Sequence, residues 1–283
     1  MQTTLRQPVQ TSGIALHSGA QVSVRLLAAE AGTGVVFRRV DLSGAPEVPA
    51  HISRVVDTRL ATTVASGPAA VMTVEHLLAA LMGLGVDNAV VEVDGPEVPA
   101  VDGSAMPWVD LVGTAGIVSV GTPRRRLVVN EPIEVRDGHR VARLLPCPHL
   151  ELSARIRFDH PQVGEQALAV PLDNGAFSSE LAWARTFGFL HDHECLRRMG
   201  LVRGVSLDNA VVFGPDGVLN AGGLRRADEP VRHKLLDMLG DLALLGLVVV
   251  GRFEAELPGH GLTLALMREV VRRPTSWTLL SPA

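Results

Sequence analysis

The sequence predicts an α+β fold in two domains, and three observations predict it. Runs rich in β-branched residues with period-two alternation, at 21–27 and 89–94, are interleaved with 72–83, where apolar residues recur at helical spacing. Residues 116–126 interrupt this pattern with Gly121, Pro123 and three consecutive arginines, after which strand-like sequence resumes. Finally, His76-Leu-Leu-Ala-Ala-Leu-Met-Gly-Leu resembles His233-Lys-Leu-Leu-Asp-Met-Leu-Gly-Asp-Leu, each ahead of an apolar strand, which suggests a duplicated unit. A chain of 283 residues is also about twice the length of a common single domain.

The break places the expected domains at 1–122 and 123–283. Within the first, Asp102-Gly103-Ser104 reads as a turn that caps the helix after it. The second reads as strands at 127–135 and 150–158, helices near 178–185 and 194–199, a long helix at 229–246, a strand at 247–254 and a last helix after His260. If the repeat is real, pseudo-twofold packing brings the two histidine-bearing helices together between the domains.

Hydrophobic residues make up 47% and charged residues 20%, a balance that excludes a disordered, core-poor chain. A net charge of −4 provides no global basic field, which argues against a dedicated nucleic-acid binder or a polybasic membrane anchor. Cys147 and Cys195 are too few for a disulfide framework and fit a reducing cytoplasm. Residues 1–10 lack the pattern of a secretory signal, and the longest apolar run, 242–251, is half of the roughly 20 residues a spanning helix needs. The expectation is a cytoplasmic protein with no membrane span.

Candidate chemistry concentrates on histidines and acids. His233, Asp237 and Asp241 recur every fourth residue and share one helix face. Leu235, Leu236, Met238, Leu239 and Leu242 cover the rest of the circumference, so the helix reads as buried, and buried carboxylates need partners or a cation. A His and an Asp one turn apart can both direct ligand atoms at one ion, with Zn²⁺ at about 2.0 Å. Glu75-His76 lies inside a very apolar helix; His76 is either a hydrogen-bonded core residue or a ligand with Glu75 facing a water beside it. His260, between Gly259 and Gly261 just before a helix, is an exposed turn residue or a general acid oriented by Asp241. His191-Asp-His-Glu194 reads as a solvated segment, His17 as a turn residue or a ligand contact, and Arg124 to Arg126 as a hydrated linker that could also grip phosphate.

Thr11-Ser-Gly-Ile-Ala-Leu-His-Ser-Gly19, Thr73-Val-Glu-His76, Gly95-Pro-Glu-Val-Pro-Ala-Val-Asp-Gly-Ser104, Ala184-Arg-Thr-Phe-Gly-Phe189, Asp228-Glu-Pro-Val-Arg-His-Lys234 with Asp237 and Asp241, and Gly259-His-Gly-Leu262 follow one another along the chain. In that order they resemble the UDP-3-O-acyl-N-acetylglucosamine deacetylases, zinc amidases of the committed step of lipid A biosynthesis. The resemblance implies two β-α-α-β layers that form a sandwich with the helices packed between the sheets. It implies a zinc site of His76, His233 and Asp237, Glu75 as general base, and His260 as the acid paired with Asp241. Thr186 is then the oxyanion donor, Lys234 lies near the substrate, and Phe187, Phe189, Gly204 and Ser206 contact it along the acyl passage. Zn²⁺ is the implied cofactor, replaceable by Fe²⁺ or Co²⁺. The implied substrate is an acylated UDP-amino sugar, and the products are acetate and UDP-3-O-acyl-glucosamine. A monomer is expected, with peripheral membrane contact open.

Three positions depart from the pattern. Leu257 stands where a basic residue is usual before the small-Gly-His turn, Leu145 stands at a usual Lys, and Val205 replaces a Gly. The first two residues would normally meet the diphosphate, so Arg143, Arg252 or Lys234 is expected to compensate. The alternative is a zinc amidase of the same fold acting on another N-acetylated amino-sugar conjugate, and a second alternative is a catalytically silent binding protein.

Overall fold

The computed structural model describes residues 1–173 and 175–281. Two mixed sheets dominate it. The first runs Val9–Ile14, Gln21–Ala28, Ala89–Val93, Val35–Arg39, Glu47–Pro49, and the second contains the path Ile133–Asp137, Arg140–Leu145, Val248–Glu256, Leu150–Arg157, Glu165–Pro171. In each sheet the middle strand is antiparallel to one neighbour and parallel to the other, and each neighbour carries an outer antiparallel partner. The repeat inferred from two helical runs is therefore repeated in the strand topology. The second sheet also gains Arg126–Val129, which pairs in parallel with the first residues of Val248–Glu256, and Trp277–Leu280, which pairs antiparallel with Arg126–Val129.

Alternation explains the strands: Val22, Val24 and Leu26 are buried while Gln21, Ser23 and Arg25 face out. Among the described residues the α-helices are α1 (Glu75–Gly83), α2 (Met106–Ala115), α3 (His193–Arg198), α4 (Glu229–Leu242) and α5 (His260–Arg272). In the repeat α1 corresponds to α4 and α2 to α5, with a central strand between the members of each pair. Helices α1 and α4 pack on each other, α4 also meets α5 and Leu150–Arg157, and α2 and α5 lie against strands of the first and second sheet respectively. Helices α1, α2, α4 and α5 thus sit between the sheets, while α3 has no buried residue. No helix among the described residues is long and apolar enough to cross a membrane.

Several boundaries differ from those the sequence suggests, each for a local reason. Helix α1 starts at Glu75 rather than 72 because Thr73 has φ +57°, a left-handed conformation no helix can include, and its hydroxyl donates to Glu97. The strand expected at 127–135 is two, Arg126–Val129 and Ile133–Asp137. Between them Pro132 has no N–H to donate, and the amides of Asn130 and Glu131 both donate to the Ser276 carbonyl. The helix expected at 178–185 is a π-helical turn, Phe177–Leu181. Helix α4 ends at Leu242, followed by a 3₁₀ turn closed by Gly246 at φ +65°. Arg124 is no freely hydrated linker residue: it donates to Asp87 and to the Gly85 carbonyl.

One glycine sets the distance between the two histidine helices. A Cβ on Gly240 of α4 would lie 2.1 Å from the Glu75 carbonyl oxygen of α1, far inside contact distance. Alanine has about 1 kcal/mol better helix propensity than glycine, but overpacking a rigid backbone contact costs about 1–3 kcal/mol or more. Gly240→Ala is therefore expected to lower the denaturation midpoint and the turnover rate together; a variant as stable and as active as the parent would show that the helices do not need this approach.

Candidate active site

The first turn of α1, the middle of α4 and the first residue of α5 converge at the interface of the two sheets' helices. His76 Nε2 lies 3.6 Å and His233 Nε2 3.3 Å from the same oxygen, Asp237 Oδ1. One ligand atom from each of the three residues lies within 4.8 Å of the others, and all three residues are buried. The other oxygen of Asp237 accepts from Lys234 Nζ at 2.8 Å. Asp237 Oδ1 itself is buried and finds no hydrogen-bond donor among the described residues.

These residues fit a metal ion. Bonds of about 2.0–2.1 Å in tetrahedral geometry place ligand atoms about 3.3–3.4 Å apart, close to the two separations observed. An orphaned buried carboxylate oxygen is costly unless a cation meets it. His233 Nδ1 donates to the Ala184 carbonyl at 3.0 Å, so the lone pair of its neutral ring is on Nε2, towards Asp237. Burial pushes the His233 pKa down to about 3, which keeps that lone pair free at neutral pH. Burial opposes the charge of Asp237, but His233 and Lys234 hold its carboxyl well below the usual range.

Beside the three ligand candidates lies an acid-base pair. Glu75 Oε1 faces His260 Nε2 at 3.6 Å, and Glu75 Oε2 accepts the Thr62 amide at 3.1 Å. His260 Nδ1 lies 2.9 Å from Asp241 Oδ2, while Asp241 also accepts the hydroxyls of Thr62 and Thr263. Burial raises the Glu75 carboxyl, partly offset by His260 and His76. Burial alone would lower His260, but Asp241 and Glu75 overcome it and raise the imidazole to about 10. His260 is thus cationic at neutral pH, with Asp241 on one nitrogen and the other directed at Glu75.

A cavity of about 600 Å³ opens over this cluster. Its walls include apolar Phe158, Phe187, Phe189, Leu190, Leu196 and Val205 together with polar His17, Thr186, Lys234 and Arg140. Apolar walls with a few converging polar groups are the usual make-up of a small-molecule site.

A family model described as LpxC, UDP-3-O-acyl N-acetylglycosamine deacetylase, matches residues 2–272. This chain belongs to that family. It is 47% identical over 279 residues to the UDP-3-O-acyl-N-acetylglucosamine deacetylase of Geobacter sp. (strain M21), covering 99% of this chain and 92% of that one. It is 49% identical to the protein of the same name from Phenylobacterium zucineum (strain HLK1), with 98% and 95% covered. For the one from Acidithiobacillus ferrooxidans (strain ATCC 53993 / BNL-5-31) the figures are 45%, 100% and 93%. Membership implies a metal-dependent hydrolase, in keeping with the His76, His233 and Asp237 group.

Several positions singled out in this deacetylase-family sequence stand elsewhere. Gly204 and Ser206 do not line the cavity. A Cβ on Gly204 would lie 2.2 Å from the Ala15 carbonyl oxygen, so this glycine serves backbone packing, and Ser206 forms an exposed turn whose amide donates to Asn209 Oδ1. Val205, between them, is the residue that faces the cavity. Arg143 and Arg252 cannot replace the missing cations at 145 and 257. Arg143 is held by Glu134 and Glu254 and Arg252 by Glu151 and Glu254, and neither lines the cavity. His260 is no exposed turn residue but 8% accessible. His191 and Glu194 are exposed, but Asp192 and the half-buried His193 between them line the cavity, so the segment is not simply solvated. Asp102 accepts from the Ser104 amide, the expected turn, while the N-cap of α2 is Ala105, with no side-chain cap, and Ser104 accepts from the Met106 amide from one position earlier; Asp102 also pairs with Arg225.

Sequence reading missed Thr62, Thr263 and Arg140. The first tethers Glu75 and Asp241 at once and carries no motif. Thr263, one helical turn after His260, offers a hydroxyl at i+3 that could have been noticed. Arg140 is visible only in three dimensions. Its Nε donates to the Leu257 carbonyl at 3.1 Å, and its Nη2 would lie 2.6 Å from a Cβ on Gly259. The absence of a side chain at 259 is what lets the guanidinium lie beside His260.

Proposed function

We propose that this chain hydrolyses the acetamide of UDP-3-O-acyl-N-acetylglucosamine to acetate and UDP-3-O-acyl-glucosamine in lipid A biosynthesis. The observation that carries the reading is the convergence of His76, His233 and the orphaned Asp237 Oδ1 with Glu75 and His260 under a cavity with phenylalanine and leucine in its walls. His76, His233 and Asp237 would hold one Zn²⁺, with Fe²⁺ or Co²⁺ as substitutes. When bound, such an ion supplies Lewis acidity to water and carbonyl.

The chain's own residues do the rest. Glu75 Oε1 takes the proton of the attacking water, its other oxygen fixed by the Thr62 amide. Thr186, whose amide and carbonyl are tied to Gly103 and Val211, presents its hydroxyl to the new oxyanion. His260 Nε2 gives its proton to the departing amine nitrogen as the C–N bond breaks; without that proton the leaving group would be an amide anion. Asp241 holds His260 protonated and oriented. Lys234 stays at Asp237, and Phe187 and Phe189, in the cavity wall, would contact the acyl chain.

Arg140 is assigned to the diphosphate. It lines the cavity beside Gly259 and His260, its Nε is held by the Leu257 carbonyl, and its only carboxylate contact is a long one of 3.4 Å to Asp137. Losing a charge-assisted hydrogen bond costs about 1.5–3 kcal/mol, so Arg140→Ala is expected to raise KM about tenfold or more with kcat little changed. An unchanged KM removes Arg140 from this role.

The reading divides the chain into domains 1–122 and 123–283, with Glu75 and His76 from the first and the remaining groups from the second. Pairing of Thr3–Leu5 with Ile117–Ser119, which ties the two ends of the first segment, supports that division. The enzyme is taken as a cytoplasmic monomer, and the exposed Leu60 and Leu190 at the cavity wall support peripheral contact with a membrane that holds its acylated substrate.

The deciding experiment is acetate release by the zinc-loaded protein from acylated UDP-N-acetylglucosamine, set beside unacylated N-acetyl sugars and a chelated control. Release only from the acylated nucleotide, lost on chelation and restored by Zn²⁺, supports the reading. Release only from another N-acetylated amino-sugar conjugate keeps the amidase and changes its substrate, while no release from any of them sinks the assignment.

A further inference from the structure

A second group of ligand-type side chains lies away from the cavity just described. We propose that Cys147, His149 and Glu151 form a separate metal site that takes a thiophilic divalent cation, Zn²⁺ by chemistry. One ligand atom from each of the three lies within 4.8 Å of the others. They lie where the chain passes from strand Arg140–Leu145 through a bend to strand Leu150–Arg157, and this bend brings Cys147 and His149 up to Glu151.

The three groups are open to an added partner. Cys147 is a free thiol, partly buried. His149 Nε2 stands 3.8 Å from Glu151 Oε2, too far for a hydrogen bond, while Glu151 Oε1 faces Arg252 Nε at 3.2 Å. One carboxylate oxygen is thus occupied by a cation and the other faces the imidazole. Pro146 and Pro148 fix the backbone φ on either side of Cys147 and limit the entropy lost on ordering its thiol.

Thiolate, imidazole and carboxylate together suit Zn²⁺ and disfavour Mg²⁺ or Ca²⁺, which require oxygen ligands. Binding releases the Cys147 proton, since the thiolate is the ligand. With His149 exposed, a fourth position is left to solvent. The site adjoins a second cavity, of about 870 Å³, whose walls include Pro148 and His149 together with Met82 and Ala243 from the far ends of the two histidine helices. It therefore shares no residue with the proposed catalytic cluster, and an ion there would tie the 146–149 crossover to the strand that follows it.

Sulfur separates the two sites experimentally. The proposed catalytic ligands are nitrogen and oxygen only, so a thiolate-to-Co²⁺ charge-transfer band in the near ultraviolet reports on a cysteine site alone. Titrating full-length protein with Co²⁺ is expected to produce that band, saturating once both sites are filled at about two equivalents, and bleached by added Zn²⁺. The band should vanish in Cys147→Ser, fall strongly in His149→Gln and Glu151→Gln, and persist in Cys195→Ser. Absence of the band in the parent overturns the proposal. So does a band that follows Cys195, or one that survives both His149→Gln and Glu151→Gln, which would mark a lone thiol contact. His149→Gln, at an exposed position, keeps the test valid should Cys147→Ser fold poorly. Since the readout is spectroscopic, its failure would leave the deacetylase reading untouched.

Discussion

Glu75→Ala is expected to cut kcat by about 10²–10⁴-fold, the usual contribution of a general base, while metal content and substrate KM stay near those of the parent. Glu75 Oε1 is directed at His260 and the ligand cluster, its Oε2 is fixed by the Thr62 amide, and the side chain is no member of the three-residue ligand group. Removing it leaves His76, His233 and Asp237 in place but takes away the proton acceptor for the attacking water. Acetate release, with metal measured on the same sample, decides the matter. Loss of metal in step with activity would make Glu75 a ligand, and undiminished turnover would remove it from catalysis.

His260→Ala is expected to have an effect of similar size, on kcat more than on KM. Asp241→Asn tests the cause rather than the group. Asp241 is the main partner that raises His260 to about 10 against the effect of burial, and Glu75 and Asp237 add to it. The acid must carry its proton, so activity falls as pH rises through the His260 pKa. Replacing the Asp241 charge lowers that pKa by about 1–3 units, and the basic limb of the kcat profile should move down in pH by that amount. A merely structural role for Asp241 would lower the rate without moving the limb. The same shift has a sign for stability. A folded pKa raised above the unfolded value near 6.5 gives stabilisation that is full below about 6.5 and lost as pH rises through about 10. The denaturation midpoint of the parent, relative to His260→Ala, should therefore decline across that window.

Much of the site was legible because helical period converts directly into shared direction. The i, i+4 spacing of His233, Asp237 and Asp241 and the flanking leucines were enough to place them on one buried face. Adjacent Glu75 and His76 could be read as pointing apart for the same reason. The strand alternation at Gln21–Ala28 likewise required nothing beyond local pattern. Boundaries that failed did so where one residue overrode the local trend, as the left-handed Thr73 does at the start of α1.

The phosphate-side cation shows the other limit. From the sequence, Leu145 and Leu257 left a gap that Arg143, Arg252 or Lys234 was expected to fill, yet Lys234 is paired with Asp237, and Arg143 and Arg252 with carboxylates of their own sheet. Such pairing depends on sheet register, in which Arg143 sits opposite Glu134 on one side and Glu254 on the other. Arg140, three residues earlier, reaches the cavity instead because it turns across Gly259 to the Leu257 carbonyl.

What the sequence determined by itself, then, is the α+β repeat, the helix faces and the chemical identity of the clustered groups, since these follow from composition and from periods of 2 and 3.6 residues. Tertiary structure alone decided that His76 of α1 meets His233 and Asp237 of α4, that Thr62 braces both Glu75 and Asp241, and which arginine is free. Those contacts join residues as many as 179 positions apart. They are set by the packing of two layers at a distance that Gly240 permits, and no local pattern encodes that distance.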